Sequence, residues 1–236
     1  MVKAVRVGVI GLGSVSEKYV PHARRLDLEG TPCEIVIGCD LRPGKAERAR
    51  DWGIPKFTTN CREVLARADV DVVLILTGMQ SHGPLTRDAL NAGKHVLVEK
   101  PMSMDLAEAT DLVALARVSK GQLVCAPHVT LSRTYQDMWH HIHGGDIGRP
   151  LTARGFYGWA GPDWDPFFYE PGGGPMFDLG VYNITTLTGL LGPAKRVMAM
   201  AGIAIPERIV NNSPDGADRR QLSGADGFSA TSALAW

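Results

Sequence analysis

The sequence predicts an α/β protein, in which a doubly wound parallel sheet is followed by an α+β domain on a more open, incomplete sheet. Apolar runs alternate with helical stretches through the first half of the chain. The segment from Asp71 to Leu76 is almost continuously apolar, as in strands buried on both faces of a parallel sheet. This alternation favours parallel strands joined by right-handed crossovers. We place the boundary near Pro127, which gives domains over 1–127 and 128–236.

The elements of the first domain follow from apolar runs and helix signals. Asp105 with Glu108 is predicted to cap one long helix, Asn60 with Glu63 resembles a capping box, and Gly93 is suited to end a helix. Strands are predicted at 5–10, 33–40, 71–76, 95–98 and 122–126. Helices are predicted after the first strand, at 44–51, after Asn60, at 84–92 and at 105–118.

The second domain has a mixed pattern. Helices are expected at 135–143 and 176–191, and strands at 151–159 and 196–205. The stretch 206–236 is polar and rich in Gly, Ala, Ser and Asp, without a sustained period, so it is predicted to be irregular. We therefore expect a truncated or frame-shifted end, with an exposed sheet edge.

Composition narrows the function classes. The 236 residues include 25 basic and 25 acidic side chains spread along the chain, which argues against nucleic acid or an anionic membrane as a partner. No apolar run is long enough to span a bilayer, and because the first strand begins near the N-terminus we expect no signal peptide. The four cysteines show no C-x-x-C spacing. We expect a cytoplasmic protein.

A glycine pair follows the first strand. Gly11 allows a tight turn, Gly13 lets the backbone approach a ligand, and Ser16 supplies a small residue where helix and strand pack. A strand, a glycine turn and a helix N-terminus together form a pyrophosphate site. We predict that Gly11, Gly13, Ser14 and Val15 bind a dinucleotide.

Asp40 ends the second predicted strand. A carboxylate at this place accepts hydrogen bonds from the adenosine ribose and repels a 2′-phosphate, so NAD is favoured. Arg42 leaves NADP possible, because an arginine nearby accommodates that phosphate. The alternative is a solvated acid at a strand end.

Two later strand ends carry polar residues at the edge where parallel sheets bind ligands. One provides Thr77 and His82, and the other provides Glu99 and Lys100. We predict that all four contact the cofactor and that Lys100 also points at substrate. The alternative for Lys100 is a surface lysine paired with Glu99.

Three glycines at 172–174 precede a predicted helix carrying Asp178 and Tyr182. Residues four apart share a helix face, so a carboxylate and a phenol project side by side. They could bind substrate and transfer a proton. Spacing alone favours the alternative, an acid stabilised by the helix dipole and a partly buried core tyrosine.

The glycine turn, Glu99-Lys100-Pro101 and the run from Gly172 to Tyr182 occur in an order that resembles the Gfo/Idh/MocA oxidoreductases. The resemblance implies a Rossmann domain and then a substrate and oligomerisation domain. It also implies hydride transfer between nicotinamide and a sugar, polyol or related carbinol. Lys100 matches the catalytic lysine, Asp178 matches the substrate-binding acid, and Tyr182 stands where many members carry a histidine.

The identity of the base stays open. A free tyrosine titrates near ~10. Lys100 and the cationic nicotinamide could favour the phenolate of Tyr182 in a dry site. Alternatively, Lys100 is the base and Tyr182 only orients the substrate.

Further candidates surround this site. His128 matches a substrate-pocket position of the family, although a lone histidine is as often structural. Trp159 and Trp164 could stack on a sugar ring or anchor a loop. The histidines at 140, 141 and 143 near Asp137 favour a solvated helix face over a metal site, so no metal is expected.

Two other functions remain. A glycoside hydrolase that uses NAD transiently would leave no net NADH, and a non-catalytic dinucleotide-binding protein or inactive fragment would show no turnover. The expected partners are a sugar-like substrate and further copies of the chain, as a dimer or tetramer.

Overall fold

The computed structural model describes residues 3–28, 30, 32–158, 161–162, 168, 173–202, 207–211, 219–223 and 229–235. Its contacts divide the chain into two compact units, Met1–Ala126 and Pro127–Trp236. Among the described residues, no helix has both the length and the apolar character needed to cross a bilayer.

The described part of the first unit is a parallel sheet with helices between its strands, as predicted, and it has six strands because a short one at Phe57–Thr58 joins the five predicted. In spatial order the strands run β3-β2-β1-β4-β5-β6. They are β1 (Val5–Ile10), β2 (Cys33–Cys39), β3 (Phe57–Thr58), β4 (Val72–Ile75), β5 (His95–Val98) and β6 (Leu123–Cys125). The helices are α1 (Ser16–Leu28), α2 (Lys45–Asp51), α3 (Cys61–Ala66), α4 (His82–Asn91) and α5 (Leu106–Val118).

Both faces of this sheet are covered by apolar side chains. Val7 and Val9 of β1 belong to one buried cluster, while Ile10 belongs to the other. Because successive strand residues face opposite sides, β1 contributes to both cores. A Cβ at Gly8 would lie 2.6 Å from Cγ1 of Val64, so a glycine here lets α3 pack closely.

The predicted helix caps are present, one with a change. Asp105 accepts a hydrogen bond from the Glu108 amide at 2.8 Å, which begins α5 as expected. At α3, Asn60 accepts from the Arg62 amide at 3.1 Å. The Asn60 amide donates to Oγ1 of Thr58, whose hydroxyl in turn donates to Glu63 at 2.7 Å. The second half of this capping box is therefore relayed through Thr58.

In the described part of the second unit, two helices pack together and four strands form two pairs. Helix α6 (Arg133–Gly144) buries Tyr135, and a Cβ at Gly189 would lie 2.2 Å from the Tyr135 hydroxyl oxygen. Gly189 belongs to α7 (Val181–Leu191), so the glycine makes room for that phenol. The antiparallel pairs are β7 (Arg196–Gly202) with β10 (Ser229–Ala235) and β8 (Glu207–Asn211) with β9 (Arg219–Ser223).

Two predictions for this unit are wrong. The described residues 151–158 form no strand, and Leu151 and Phe156 are each 86% exposed. Polar and apolar residues alternate here, but no described strand pairs with the segment. A strand needs a neighbouring strand that forms hydrogen bonds with its backbone N–H and C=O groups. The stretch 206–236, predicted to be irregular, contains β8, β9 and β10. Their pairing joins distant segments, so a local hydrophobic period does not reveal it.

Candidate active site

The turn after β1 has the geometry that its glycines predict. Gly11 has φ of +98°, and a Cβ there would lie 2.5 Å from the carbonyl oxygen of Leu76. Only glycine fits, because both the backbone conformation and the space exclude a side chain. A Cβ at Gly13 would meet no atom within 4 Å, so a ligand can approach its backbone. Ser16 is fully buried, and its hydroxyl donates to the Gly13 carbonyl.

Asp40 follows β2 and lies beside this turn. Its Oδ2 accepts from the Leu12 amide at 3.0 Å, and its Oδ1 accepts from the Arg42 amide at 3.0 Å and from Arg42 Nε at 3.2 Å. Burial raises the pKa of this carboxyl, but the hydrogen bonds from Arg42 and Leu12 outweigh burial and lower the pKa. The carboxylate is therefore held in its charged form. The turn and this acid fit a dinucleotide, whose phosphates would be held at the start of α1 and whose ribose would be held at Asp40.

Arg48 of α2 was missed by the sequence analysis. Its Nη1 donates to the carbonyl oxygens of Leu12 at 3.2 Å and Gly13 at 3.1 Å. The same nitrogen lies 3.1 Å from Oε1 of Glu17. The charged residues of α2 are typical of a solvent-exposed helix, so the local sequence does not indicate that Arg48 contacts the turn.

Lys100 lies two residues beyond β5. Its amide donates to Oε2 of Glu99 at 3.0 Å, and Oε1 of Glu99 accepts from the Tyr19 hydroxyl at 2.6 Å. The Glu99 amide extends the pairing of β5 with β4 by donating to the carbonyl oxygen of Ile75 at 3.0 Å. Strand β4 separates β1 from β5, so Lys100 and the glycine turn follow the carboxyl ends of nearby parallel strands.

His82 links two loops at this edge. The ring is 1% exposed, with Nδ1 2.7 Å from the Pro101 carbonyl oxygen and Nε2 3.0 Å from that of Thr77. A neutral imidazole carries one N–H and donates to one carbonyl, whereas an imidazolium donates to both. Both nitrogens face the chain's own carbonyls, so the ring links the loop after β4 to the Lys100 loop, and the predicted cofactor contact of His82 stays a prediction.

Asp178 and Tyr182 lie at the start of the predicted helix in the second unit. Residues Met176–Gly180 form a π-helical turn that contains Asp178, and Tyr182 lies in the first turn of α7. Both side chains are partly buried. Such wide turns are rare and frequently occur at functional sites.

The remaining candidates have different outcomes. His128 begins a short 3₁₀ turn, His128–Leu131, after β6. Trp159 and Trp164 lie outside the described residues. On α6, Nδ1 of His141 lies 2.6 Å from Oδ2 of Asp146, and the ring of His143 stacks on Trp139. Among the residues that the structure describes, no group of three or more ligating side chains is arranged to hold a metal.

Comparison with known proteins gives matches over both units. Residues 5–126 match the model of an oxidoreductase family with an NAD-binding Rossmann fold. Residues 135–230 match the GFO/IDH/MocA C-terminal domain.

Two curated relatives are similar over most of this chain. The 1,5-anhydro-D-fructose reductase of Ensifer adhaerens is 34% identical over 202 residues, which are 81% of this chain and 59% of the relative. The scyllo-inositol 2-dehydrogenase (NAD(+)) of Bacillus subtilis is 30% identical over 213 residues, which are 88% of this chain and 58% of the relative. The chain thus spans less than two thirds of the length of either relative.

A solved structure has the same fold. The apo form of levoglucosan dehydrogenase aligns with a TM-score of 0.87 at 22% identity, covering 99% of this chain and 64% of the other. The family match over 5–126, the parallel sheet and the glycine turn agree with one another. This chain therefore belongs to the GFO/IDH/MocA family of oxidoreductases, and its first unit is an NAD-binding Rossmann domain.

Proposed function

We propose that this chain is an NAD-dependent oxidoreductase that moves a hydride between nicotinamide and a carbinol of a sugar, polyol or related substrate. The observation that carries the proposal is how Lys100 is held. Its amide is bonded to Glu99, and the carbonyl of the next residue, Pro101, is bonded to His82, at the edge of the sheet that bears the glycine turn. The names of the two curated relatives support a sugar or polyol as substrate class.

The first unit fits NAD better than NADP. Asp40 presents a buried, charged carboxylate beside the turn, suited to accept from ribose hydroxyls and to repel a 2′-phosphate. The Arg42 side chain is 68% exposed and paired with Asp40, which leaves NADP as a second cofactor. When bound, the nicotinamide supplies or accepts the hydride.

We assign the proton-handling roles to three side chains. Lys100 would hold the reacting hydroxyl of the substrate, and Asp178 would bind a neighbouring hydroxyl. Tyr182 would take the hydroxyl proton as a phenolate, or Lys100 would take it while Tyr182 orients the substrate. His128, Trp159 and Trp164 are proposed to line the substrate region.

The test is a panel of sugars, polyols and glycosides assayed with NAD and NADP. We expect reduced cofactor to accumulate with NAD and a subset of the free sugars or polyols. Cleavage of glycosides without net NADH would instead favour a hydrolase that uses NAD transiently. NAD binding without turnover of any compound would favour a non-catalytic dinucleotide-binding protein.

We further propose that the chain assembles as a dimer or tetramer in the cytoplasm. On β7, Val197, Met198 and Met200 are 65%, 68% and 74% exposed. Among the described residues β7 pairs on one side, with β10, so its other edge is open to a second chain. Light scattering coupled to gel filtration tests this, and a monodisperse monomer at micromolar concentration would refute it.

A further inference from the structure

Two side chains of opposite charge, Asp40 and Arg48, form hydrogen bonds with the peptide groups of the glycine turn. Oδ2 of Asp40 accepts from the Leu12 amide at 3.0 Å, while Nη1 of Arg48 donates to the Leu12 carbonyl at 3.2 Å. Arg48 also donates to the Gly13 carbonyl at 3.1 Å. One guanidinium therefore fixes two consecutive carbonyls of the turn.

The guanidinium is itself well positioned. Its central carbon lies 5.4 Å from the ring centroid of Trp52, and Nη1 pairs with Glu17 at 3.1 Å. The side chain is 31% exposed. An arginine held by a carboxylate and an aromatic ring has already lost much of its rotamer freedom before any ligand binds.

The contacts of Arg48 decide where the amides of the turn point. In a trans peptide, the carbonyl of one residue and the amide of the next point in opposite directions. With the carbonyls of Leu12 and Gly13 directed at Arg48, the amides of Gly13 and Ser14 are directed away from α2. Amides that point the same way at the start of a helix form an anion-binding concavity.

We propose that Arg48 is a positioning residue for the cofactor pyrophosphate. It holds the glycine turn in the conformation that presents the Gly13 and Ser14 amides, and its positive charge lies on the carbonyl side of the same peptides. This inference rests on the NAD site of the proposed function. It assigns a role to a side chain of α2, which lies outside the glycine motif.

The test compares Arg48→Met, Arg48→Lys and the matched control Arg50→Met. Arg50 is an exposed arginine on the same helix, so its variant removes the same charge without touching the turn. Isothermal titration with NAD is the readout, and circular dichroism checks that each variant is folded. We expect Arg48→Met to weaken NAD binding about tenfold, as lost charge-assisted hydrogen bonds would.

Arg48→Lys should recover part of that loss, because an ammonium can still donate to the carbonyls but lacks the stacking on Trp52. Arg50→Met should bind NAD as the unmodified chain does. The proposal is overturned if Arg48→Met binds NAD as tightly as Arg50→Met, or if Arg48→Lys is as weak as Arg48→Met. An unmodified chain that releases no heat with NAD would refute the cofactor site itself, and this result precedes any comparison of variants.

Discussion

The hydroxyl of Tyr19 donates to Oε1 of Glu99 at 2.6 Å and so joins α1 to the loop after β5. Helix α1 begins at the glycine turn, and Glu99 also accepts from the Lys100 amide. The phosphate-binding helix and the backbone of the proposed catalytic lysine are thereby connected through one carboxylate. A displacement of α1 would be transmitted to the backbone of Lys100 through a single side chain, that of Glu99.

Tyr19→Phe should lower the free energy of unfolding by about 1 kcal/mol, the usual net value of one hydrogen bond. The carboxylate of Glu99 loses a donor in a partly buried place, while the ring still packs. Tyr157→Phe is the control, because Tyr157 is 54% exposed and its hydroxyl should matter by less than about 0.5 kcal/mol. Urea denaturation measures both, and equal stabilities of the two variants would contradict the prediction.

Lys100→Ala should reduce turnover about 10³-fold, within the range that removal of an acid–base group costs. NAD affinity should stay within about threefold, because the turn and Asp40 supply the cofactor contacts. Lys120→Ala, at an exposed position, is the control for loss of one lysine. Turnover of the best substrate in the panel and NAD titration are the measurements. A Lys100→Ala variant with an unchanged kcat would remove the basis of the site assignment.

His82→Ala should destabilise the protein by about 3 kcal/mol. The change leaves a cavity at a side chain that is 1% exposed and removes the ring whose nitrogens contact the Pro101 and Thr77 carbonyls. His22→Ala is the matched control, since His22 is exposed on α1. Thermal unfolding distinguishes the two, and a melting temperature of His82→Ala near that of His22→Ala would show that the ring does not hold the loops together.

Gly11→Ala should cost at least about 3 kcal/mol and abolish NAD binding. A Cβ at Gly11 would lie 2.5 Å from a backbone oxygen, at a φ of +98°. Gly44→Ala should be neutral or stabilise by about 0.5 kcal/mol, because Gly44 has φ of −60° and open space around it. Denaturation and NAD titration of the pair test the prediction, which fails if Gly11→Ala is as stable as Gly44→Ala.

The ion pair between Arg6 and Asp71 should make the stability of the fold depend on pH. Hydrogen bonds from the Arg6 side chain, at 2.9 and 2.8 Å, outweigh burial and hold the pKa of Asp71 well below its ordinary value. Because the pKa is lower in the folded state, the ionised carboxylate stabilises the fold at pH values above the pKa of the unfolded chain, about 3.9. This stabilisation is lost as the pH falls through the pKa of the folded state.

The pair is tested by Asp71→Asn, which should lower the melting temperature at pH 7. The difference from the unmodified chain should shrink as pH falls below about 4. Asp111→Asn is the control, because Oδ2 of Asp111 lies 3.9 Å from Arg87 and its side chain is 70% exposed. A difference for Asp71→Asn that is constant from pH 7 to about 3 would rule out this account.

Much of the first unit is predictable because its strands are short apolar runs bounded by clear helix signals. The strand predicted at 95–98 matches β5, and Gly11, Ser16 and Asp40 have the local geometry that their motif indicates. The strand and the positive φ of Gly11 depend on neighbours in sequence, and the Asp40 contact with Leu12, 28 residues away, follows from the motif. The roles proposed for Lys100, Asp178 and Tyr182 stay predictions.

The features that were missed depend on contacts between distant residues. Tyr19 and Glu99 are 80 residues apart, and Arg48 and Gly13 are 35 apart. Neither partner carries a local signal of the other. Strand β10 was overlooked for the same reason, because its mostly small residues form a strand only when β7 pairs with them.

Asp40 has a consequence for how cofactor preference can change. One of its oxygens is committed to the Leu12 amide and the other to Arg42. A substitution that removes every oxygen from this side chain to admit a phosphorylated ribose also deprives the buried Leu12 amide of its acceptor. Asn keeps an acceptor oxygen without the negative charge, so it is the single change by which NADP can be accommodated while the loop stays anchored.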